Sequence, residues 1–185
     1  MRRIVAGLFM SVDGVVESPE QWQGPYFDAE LAQAVQKVMT EADTMLLGRR
    51  TYQEFAAFWP NQPADDPIAN YMNTTPKLVA STTLDTVEWQ RSTLLGSDLA
   101  EELIALKQRP GRNLNVTGSI TLVRWLLRAG LLDELGLLVH PVVVGKGRRL
   151  FEEGDPQLSL ELAASRPLSS GVVSLSYRPT ATARR

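Results

Sequence analysis

Twice in this chain an apolar run stops at a glycine and gives way to residues that start a helix. The first instance is Thr44-Met45-Leu46-Leu47-Gly48-Arg49-Arg50-Thr51-Tyr52. The second is Val116-Thr117-Gly118-Ser119, leading to Leu122. A strand that ends in glycine and hands over to a helix belongs in an open α/β sheet, where ligands bind beyond the carboxyl ends of the strands. Glycine lets the backbone approach a ligand. The first N–H groups of the helix are unpaired and point outward, and the helix dipole favours an anion. Arg49 and Arg50 add charge-assisted donors suited to a phosphate, and Thr51 adds a hydroxyl. The same arginines also read as ordinary solvated charges. Recurrence of the junction is what favours a ligand.

The rest of the pattern fits such a sheet. Residues 4–10 read as a buried strand that stops at the turn Ser11-Val12-Asp13-Gly14. Phe27, Leu31, Ala34, Val35, Val38 and Met39 recur at helical spacing, with Asp28 and Glu30 near the start. Residues 43–47 form a second strand and 50–58 a helix. Residues 60–76, with four prolines, form a loop holding one helical turn at 68–72. Residues 77–80 form a third strand ending at Ser81-Thr82, followed by a short strand at 86–89. Ser97 is the expected N-cap of a helix carrying Leu99, Leu103 and Leu106. Residues 114–117 form a strand, and Ser119 caps a helix with Leu122, Val123, Leu126 and Leu127 on one face. A long strand at 135–144 and a basic turn, Gly145-Lys146-Gly147, follow. Alternation at Leu158, Leu160 and Leu162, and again at Val173, Leu175 and Tyr177, predicts a C-terminal antiparallel hairpin. The expected fold is a single α/β domain over residues 1–178, with a mixed, mostly parallel sheet between helices on both faces. Residues 179–185 read as a frayed tail.

Composition narrows the function. The chain of 185 residues has a formal net charge of −2, which argues against a nucleic-acid-binding face. It has no cysteine, so a disulfide framework, a thiol nucleophile and a cysteine-ligated metal are excluded. The single histidine, His140, excludes a two-histidine zinc site within one chain and reads as a strand-end residue before Pro141. No metal is expected. The N-terminus lacks the apolar length of a signal peptide, and no segment approaches the ~20 apolar residues that span a bilayer. A cytoplasmic protein with no membrane partner is the expectation.

Ser11-Val12-Asp13, Gly48-Arg49-Arg50-Thr51, Ser81-Thr82 and Gly118-Ser119 each follow an expected strand, so four polar or glycine-rich loops gather along one rim. Gly118-Ser119 can seat a pyrophosphate, or serve only as a tight turn with its N-cap. The G-x-G-x-x-G and Walker A patterns are absent. Asp13, Asp28 and Glu30 are candidates to orient a nitrogen heterocycle or relay a proton, and each also reads as a turn or helix-start residue. Trp22 and Phe27 can wall a ring pocket, with core packing the first reading for Phe27.

Four motifs in order carry a resemblance to a known family. They are Ser11-Val12-Asp13-Gly14, Leu47-Gly48-Arg49-Arg50-Thr51-Tyr52, Val116-Thr117-Gly118-Ser119 with Leu122, and Gly130-Leu131-Leu132-Asp133-Glu134-Leu135 running into His140-Pro141-Val142-Val143-Val144-Gly145. The chain resembles the dihydrofolate-reductase-like family, in the branch similar to the reductase domain of bacterial riboflavin biosynthesis. The resemblance implies a three-layer α/β/α fold that binds NADPH and transfers hydride to a pteridine- or pyrimidine-like ring. By position, Arg49, Arg50 and Thr51 would hold cofactor phosphates, and Ser81 and Thr82 would lie by the adenosine end. Gly118, Ser119, Ile120, Thr121 and Leu122 would wrap the pyrophosphate. Asp13 is the candidate catalytic, substrate-side group, with Trp22 and Phe27 beside the small-molecule substrate. This chain has Gly118-Ser119 where dihydrofolate reductases carry two glycines. It also lacks the cysteines of the zinc deaminase domain often fused to the riboflavin enzyme. The resemblance further implies a homodimer, and the apolar strand at 135–144 with the hairpin points the same way, because exposed apolar edges are usually covered. The rival reading is a non-catalytic nucleotide-binding or regulatory protein on the same scaffold.

Overall fold

Alternating side chains along Ile4–Ser11 (β1) divide between two apolar layers: Ile4, Ala6 and Leu8 join one, Phe9 the other. The computed structural model describes residues 1–180. The further strands are β2 (Ala42–Gly48), β3 (Lys77–Ala80), β4 (Ser92–Leu94), β5 (Asn113–Val116), β6 (Glu134–His140), β7 (Leu160–Pro167) and β8 (Val173–Pro179). The helices are α1 (Ala29–Glu41), α2 (Arg49–Phe58), α3 (Pro67–Thr74), α4 (Leu99–Gln108) and α5 (Ile120–Arg128). All eight strands form one sheet in the order β4-β3-β2-β5-β1-β6-β8-β7. The first six run parallel. β8 pairs antiparallel with β6 and with β7, which is the expected hairpin.

Helices cover both faces. Leu103 of α4 and Leu122, Val123, Leu126 and Leu127 of α5 pack on Ile4, Leu46, Leu114, Val116 and Leu135. A fully buried leucine or valine is worth about 1.5–3 kcal/mol over an exposed one, so this face fixes α5 firmly. On the opposite face Met45, Leu47 and Val79 meet Tyr52 of α2 and Met72 of α3, while Leu31 of α1 packs with Phe9 and Leu138. This is a three-layer α/β/α fold, as the strand pattern implied.

Several boundaries differ from the sequence reading, each for a local reason. The strand expected at 135–144 ends at His140. Pro141 has no N–H for a ladder, and the Val142 N–H turns back to the His140 carbonyl at 2.8 Å. β6 is moreover an interior strand, flanked by β1 and β8, so this part of the argument for a dimer falls away. No strand forms at 86–89, because the Tyr52 hydroxyl takes the N–H groups of Glu88 and Trp89 at 2.9 and 3.0 Å. The edge strand starts three residues later. Asp98, not Ser97, caps α4, its carboxylate accepting the Glu101 N–H at 3.0 Å. The turn expected at 68–72 is a full helix, capped by Asp66 with Pro67 in its first turn. Phe27 precedes α1 and is exposed rather than in the core. Pro179 closes β8 opposite Leu160, and residues 181–185 of the expected tail lie outside the described residues.

Candidate functional site

The carboxyl ends of β3, β2, β5, β1 and β6 follow one another along one rim of the sheet. Register sets their neighbours: Gly48 lies beside Ala80, and Ser11 beside His140. Ser81-Thr82, Gly48-Arg49-Arg50-Thr51, Gly118-Ser119 and Ser11-Val12-Asp13 therefore do gather at this rim.

Its centre is the meeting of two helix starts. The Gly48 N–H donates to the Gly118 carbonyl at 3.2 Å. A side chain on Gly48 would run into Ser119 Oγ, and a Cβ on Gly118 (φ +154°) would come within 2.5 Å of Thr51 Oγ1. Glycine at both strand ends thus lets α2 and α5 begin side by side. The Gly118–Ser119 peptide is cis. Ser119 Oγ caps α5 by accepting the Leu122 N–H at 3.3 Å. α2 has Gly48 at its cap position and so no side-chain cap, which leaves its first N–H groups open to a ligand. Arg49 and Arg50 are exposed in its first turn. Arg50 bonds Glu54 at 3.1 Å and faces Glu17 at 3.6 Å. The buried Thr117 hydroxyl, just before the junction, has no hydrogen-bond partner. Open N–H donors, two arginines and the Thr51 and Thr121 hydroxyls make a donor set that fits an anionic ligand such as a pyrophosphate. The Ser81 hydroxyl is engaged within its own turn, accepting the Thr83 and Leu84 N–H groups at 3.1 and 3.0 Å, and Thr82 beside it is exposed.

Asp13 fastens the first loop to the chain that leaves β6. Its carboxylate accepts the Ser11 hydroxyl at 2.7 Å and the Val144 and Gly145 N–H groups at 3.0 and 2.9 Å, with Arg149 at 3.6 Å. The Ser11 hydroxyl first, then the two backbone N–H groups, hold its pKa down at about 2. A carboxyl so held is a poor proton donor near neutrality. Residues 142–150 form a strap across this loop. Val12 N–H reaches the Val142 carbonyl, Val16 N–H that of Arg148, and Leu150 N–H that of Gly14, each at 3.0 Å. Arg124, buried in α5, pins the far end of the strap by donating to the Leu150 and Arg149 carbonyls, both at 2.6 Å.

On the α1 side of the rim, His140 is fully buried among Trp22, Phe9 and Tyr26, with ring centroids 5.3, 5.6 and 5.8 Å away. Burial lowers its pKa from the ordinary histidine value. Trp22 Nε1 donates to the Glu17 carbonyl at 3.1 Å. Asp28 caps α1 through the Leu31 N–H at 2.8 Å and also accepts the Ser169 hydroxyl, while Glu30 takes the Ser169 N–H at 2.6 Å and Arg166 at 3.1 Å. Both acids are thereby engaged with the β7–β8 loop. Phe27 is left with an exposed ring. Among the described residues no group of three histidine, cysteine, aspartate or glutamate side chains could hold a metal.

Comparison with known proteins places this architecture. The model of the RibD C-terminal domain matches residues 2–174. The chain belongs to the RibD C-terminal domain family. Within reach of it is the uncharacterised protein YyaP of Bacillus subtilis (strain 168), 27% identical over 179 residues, which span 95% of this chain and 94% of YyaP. The RibD-like fold recurs in a putative riboflavin biosynthesis protein from Shewanella sp. PV-4, at TM-score 0.78 and 21% identity, covering 98% of this chain and 100% of that one. Dihydrofolate reductase from Enterococcus faecalis, solved with NADP(H), superimposes at TM-score 0.64 and 16% identity over 97% of each chain. The family and these neighbours establish a reductase-type fold. Among the described residues no helix is long and apolar enough to cross a membrane.

The rim loops are visible in the sequence, and the segment that crosses them is not. Gly145-Lys146-Gly147 reads there as a plain basic turn, and no motif marks Glu17 or Arg148. The signal available was Gly145-Lys146-Gly147-Arg148-Arg149 itself: flexible glycines around a cation, with two more cations following and no second strand to justify a hairpin there.

Proposed function

We propose that this protein is an NADPH-dependent reductase that transfers hydride to a pteridine- or pyrimidine-like heterocycle. The observation that carries the reading is the juxtaposition of the α2 and α5 starts, with an uncapped first turn bearing Arg49 and Arg50. In this reading Arg49, Arg50 and Thr51 hold the cofactor phosphates, and residues 118–122 take the pyrophosphate on the first turn of α5. Ser81 and Thr82 border the adenosine end. When bound, the cofactor supplies the hydride. The chain's own work is to seat it, exclude water and present a flat ring to it. Trp22 and Phe27 offer apolar surface for that ring. Asp13 keeps the first loop in place and acts on the substrate side through that loop. The protein works in the cytoplasm as a homodimer, without nucleic acid or membrane.

One observation favours a non-catalytic nucleotide-binding role instead: Asp13, Asp28 and Glu30, the three acids offered for substrate chemistry, are all engaged and held ionised, so none of the three stands ready to give a proton. The two readings separate in solution. A hundredfold excess of NADPH over its dissociation constant should stabilise the fold by about 2.7 kcal/mol in a thermal-shift assay. Loss of absorbance at the reduced-nicotinamide band with a pterin, pyrimidine or quinone marks a reductase; binding without turnover marks the scaffold reading. Charge-assisted phosphate contacts are worth about 1.5–3 kcal/mol, so Arg49→Ala or Arg50→Ala should cut the preference for NADPH over NADH about tenfold or more. If neither narrows it, these arginines do not read the 2′-phosphate.

A further inference from the structure

Between α2 and the strap stands one carboxylate, that of Glu17. One of its oxygens faces Arg50 at 3.6 Å, and the other accepts the Arg148 N–H at 3.1 Å. The strap approaches this closely because position 147 is glycine: with φ +103°, a Cβ there would come within 3.1 Å of Val15 and 3.5 Å of Glu17. The Arg148 side chain continues past Glu17 to Thr121 Oγ1, 3.3 Å away, on the first turn of α5. Glu17 therefore bridges three parts: the α2 arginine, the strap over the α5 start, and the first loop. Its own carbonyl holds Trp22 of that loop.

We propose that Glu17 is a specificity-determining residue of the phosphate seat, an internal anion that occupies Arg50 and the strap until a ligand phosphate takes Arg50 over. This rests on the reading of that seat as a cofactor-phosphate site. A carboxylate carries one charge and only two acceptor oxygens. A terminal phosphate carries more charge and three, so it wins the guanidinium in direct competition. Glu54, which also bonds Arg50, shares the helix with it, so releasing Glu54 moves nothing else. Releasing Glu17 frees one tether of the first loop. Phosphate at the seat is thereby linked to the mobility of the segment that carries Trp22.

The test is a binding cycle with NADPH, NADH and inorganic pyrophosphate on wild type, Glu17→Gln, Arg50→Ala and the double variant. An exposed ion pair is worth up to ~1 kcal/mol, so Glu17→Gln should tighten NADPH about two- to fivefold. The gain should be absent in the Arg50→Ala background and smaller for NADH. Glu17→Asp, whose carboxylate is one methylene too short to face Arg50, guards against a folding artefact and should shift affinity the same way. If wild type binds NADPH but both Glu17 variants bind it equally or more weakly, Glu17 is only a loop tether and the inference is overturned while the functional reading stands. If wild type binds neither NADPH nor pyrophosphate, the functional reading fails, and this inference with it.

Discussion

At the scale of single residues the rim is governed by which side chains are already spoken for. Asp13 has Ser11, Val144 and Gly145 on its carboxylate, so its expected task is to hold two loops together. Asp13→Asn should lower the melting temperature and speed amide exchange at Val144 and Gly145. A loss of turnover with both unchanged would make Asp13 a catalytic group after all. The sign of its pH effect follows from a lowered pKa. The stabilisation is complete above the unfolded value near 3.8 and is lost as pH falls through about 2. His140 titrates in a different window. Burial depresses its pKa, so folding favours the neutral ring, and stability falls as pH drops below the ordinary value of 6.5. It is the only histidine in the chain, so His140→Phe should flatten the loss of melting temperature between pH 7.5 and 5.5. A slope that survives the substitution would assign that loss to other groups. The sequence shows the local half of this, Asp13 in a turn with Ser11 and Asp28 at a helix start, and not the rest. The Val144 and Gly145 partners of Asp13, and Ser169 beside Asp28 and Glu30, lie more than a hundred residues away, and spacing carries no record of them.

Among elements, the strand–glycine–helix junctions were legible because their chemistry is local. Gly48 with α2, and Gly118-Ser119 with α5, each follow from half a dozen consecutive residues. Their mutual approach was not legible, yet it makes the strictest demand. Gly48→Ala would drive a methyl group into Ser119 Oγ and disturb the cap of α5. Overpacking of this kind costs about 1–3 kcal/mol. The variant should melt lower and bind phosphate-bearing ligands more weakly, as calorimetry and titration would report. Wild-type behaviour in both would mean that Ser119 can rotate away without loss. The misplaced strand at 86–89 teaches the same lesson from the other side. Its alternation is real, but a phenol thirty-odd residues upstream takes two of its N–H groups, and no pattern within the segment shows that.

The sheet as a whole ends in two unlike edges, short β4 and long β7. Nearly every residue of β7 is exposed, Leu162 among them, and its pairing with β8 is irregular between Leu162 and Ala164. Bulges and charges are how edge strands resist unwanted pairing, so a dimer should form through the face of the β7–β8 hairpin rather than by extending the ladder. We expect a dimer in sedimentation velocity at micromolar concentration, and its dissociation by Leu162→Lys. A monomer mass unchanged on raising the concentration would refute it. That the sheet is mostly parallel was legible from the alternation of strands and helices; the order of its strands was not. The placing of β8 between β6 and β7 was not, because a hairpin pattern does not say which of its strands turns inward.

β1, the first strand made, sits in the middle of the sheet, and Ile4 finds its ladder partner in Leu114, 110 residues later. At about 5–20 residues per second of synthesis, the opening strand waits some 5–20 s for its neighbour, and longer for β6. The strap follows β6, and the β7–β8 hairpin, whose loop engages Asp28 and Glu30, comes later still. A nascent chain therefore lacks the paired starts of α2 and α5 until the residues around Gly118 are made, and a ligand that needs both cannot assist the early stages. Such long-range closure predicts slow, all-or-none folding, in which the site comes into being with the whole domain.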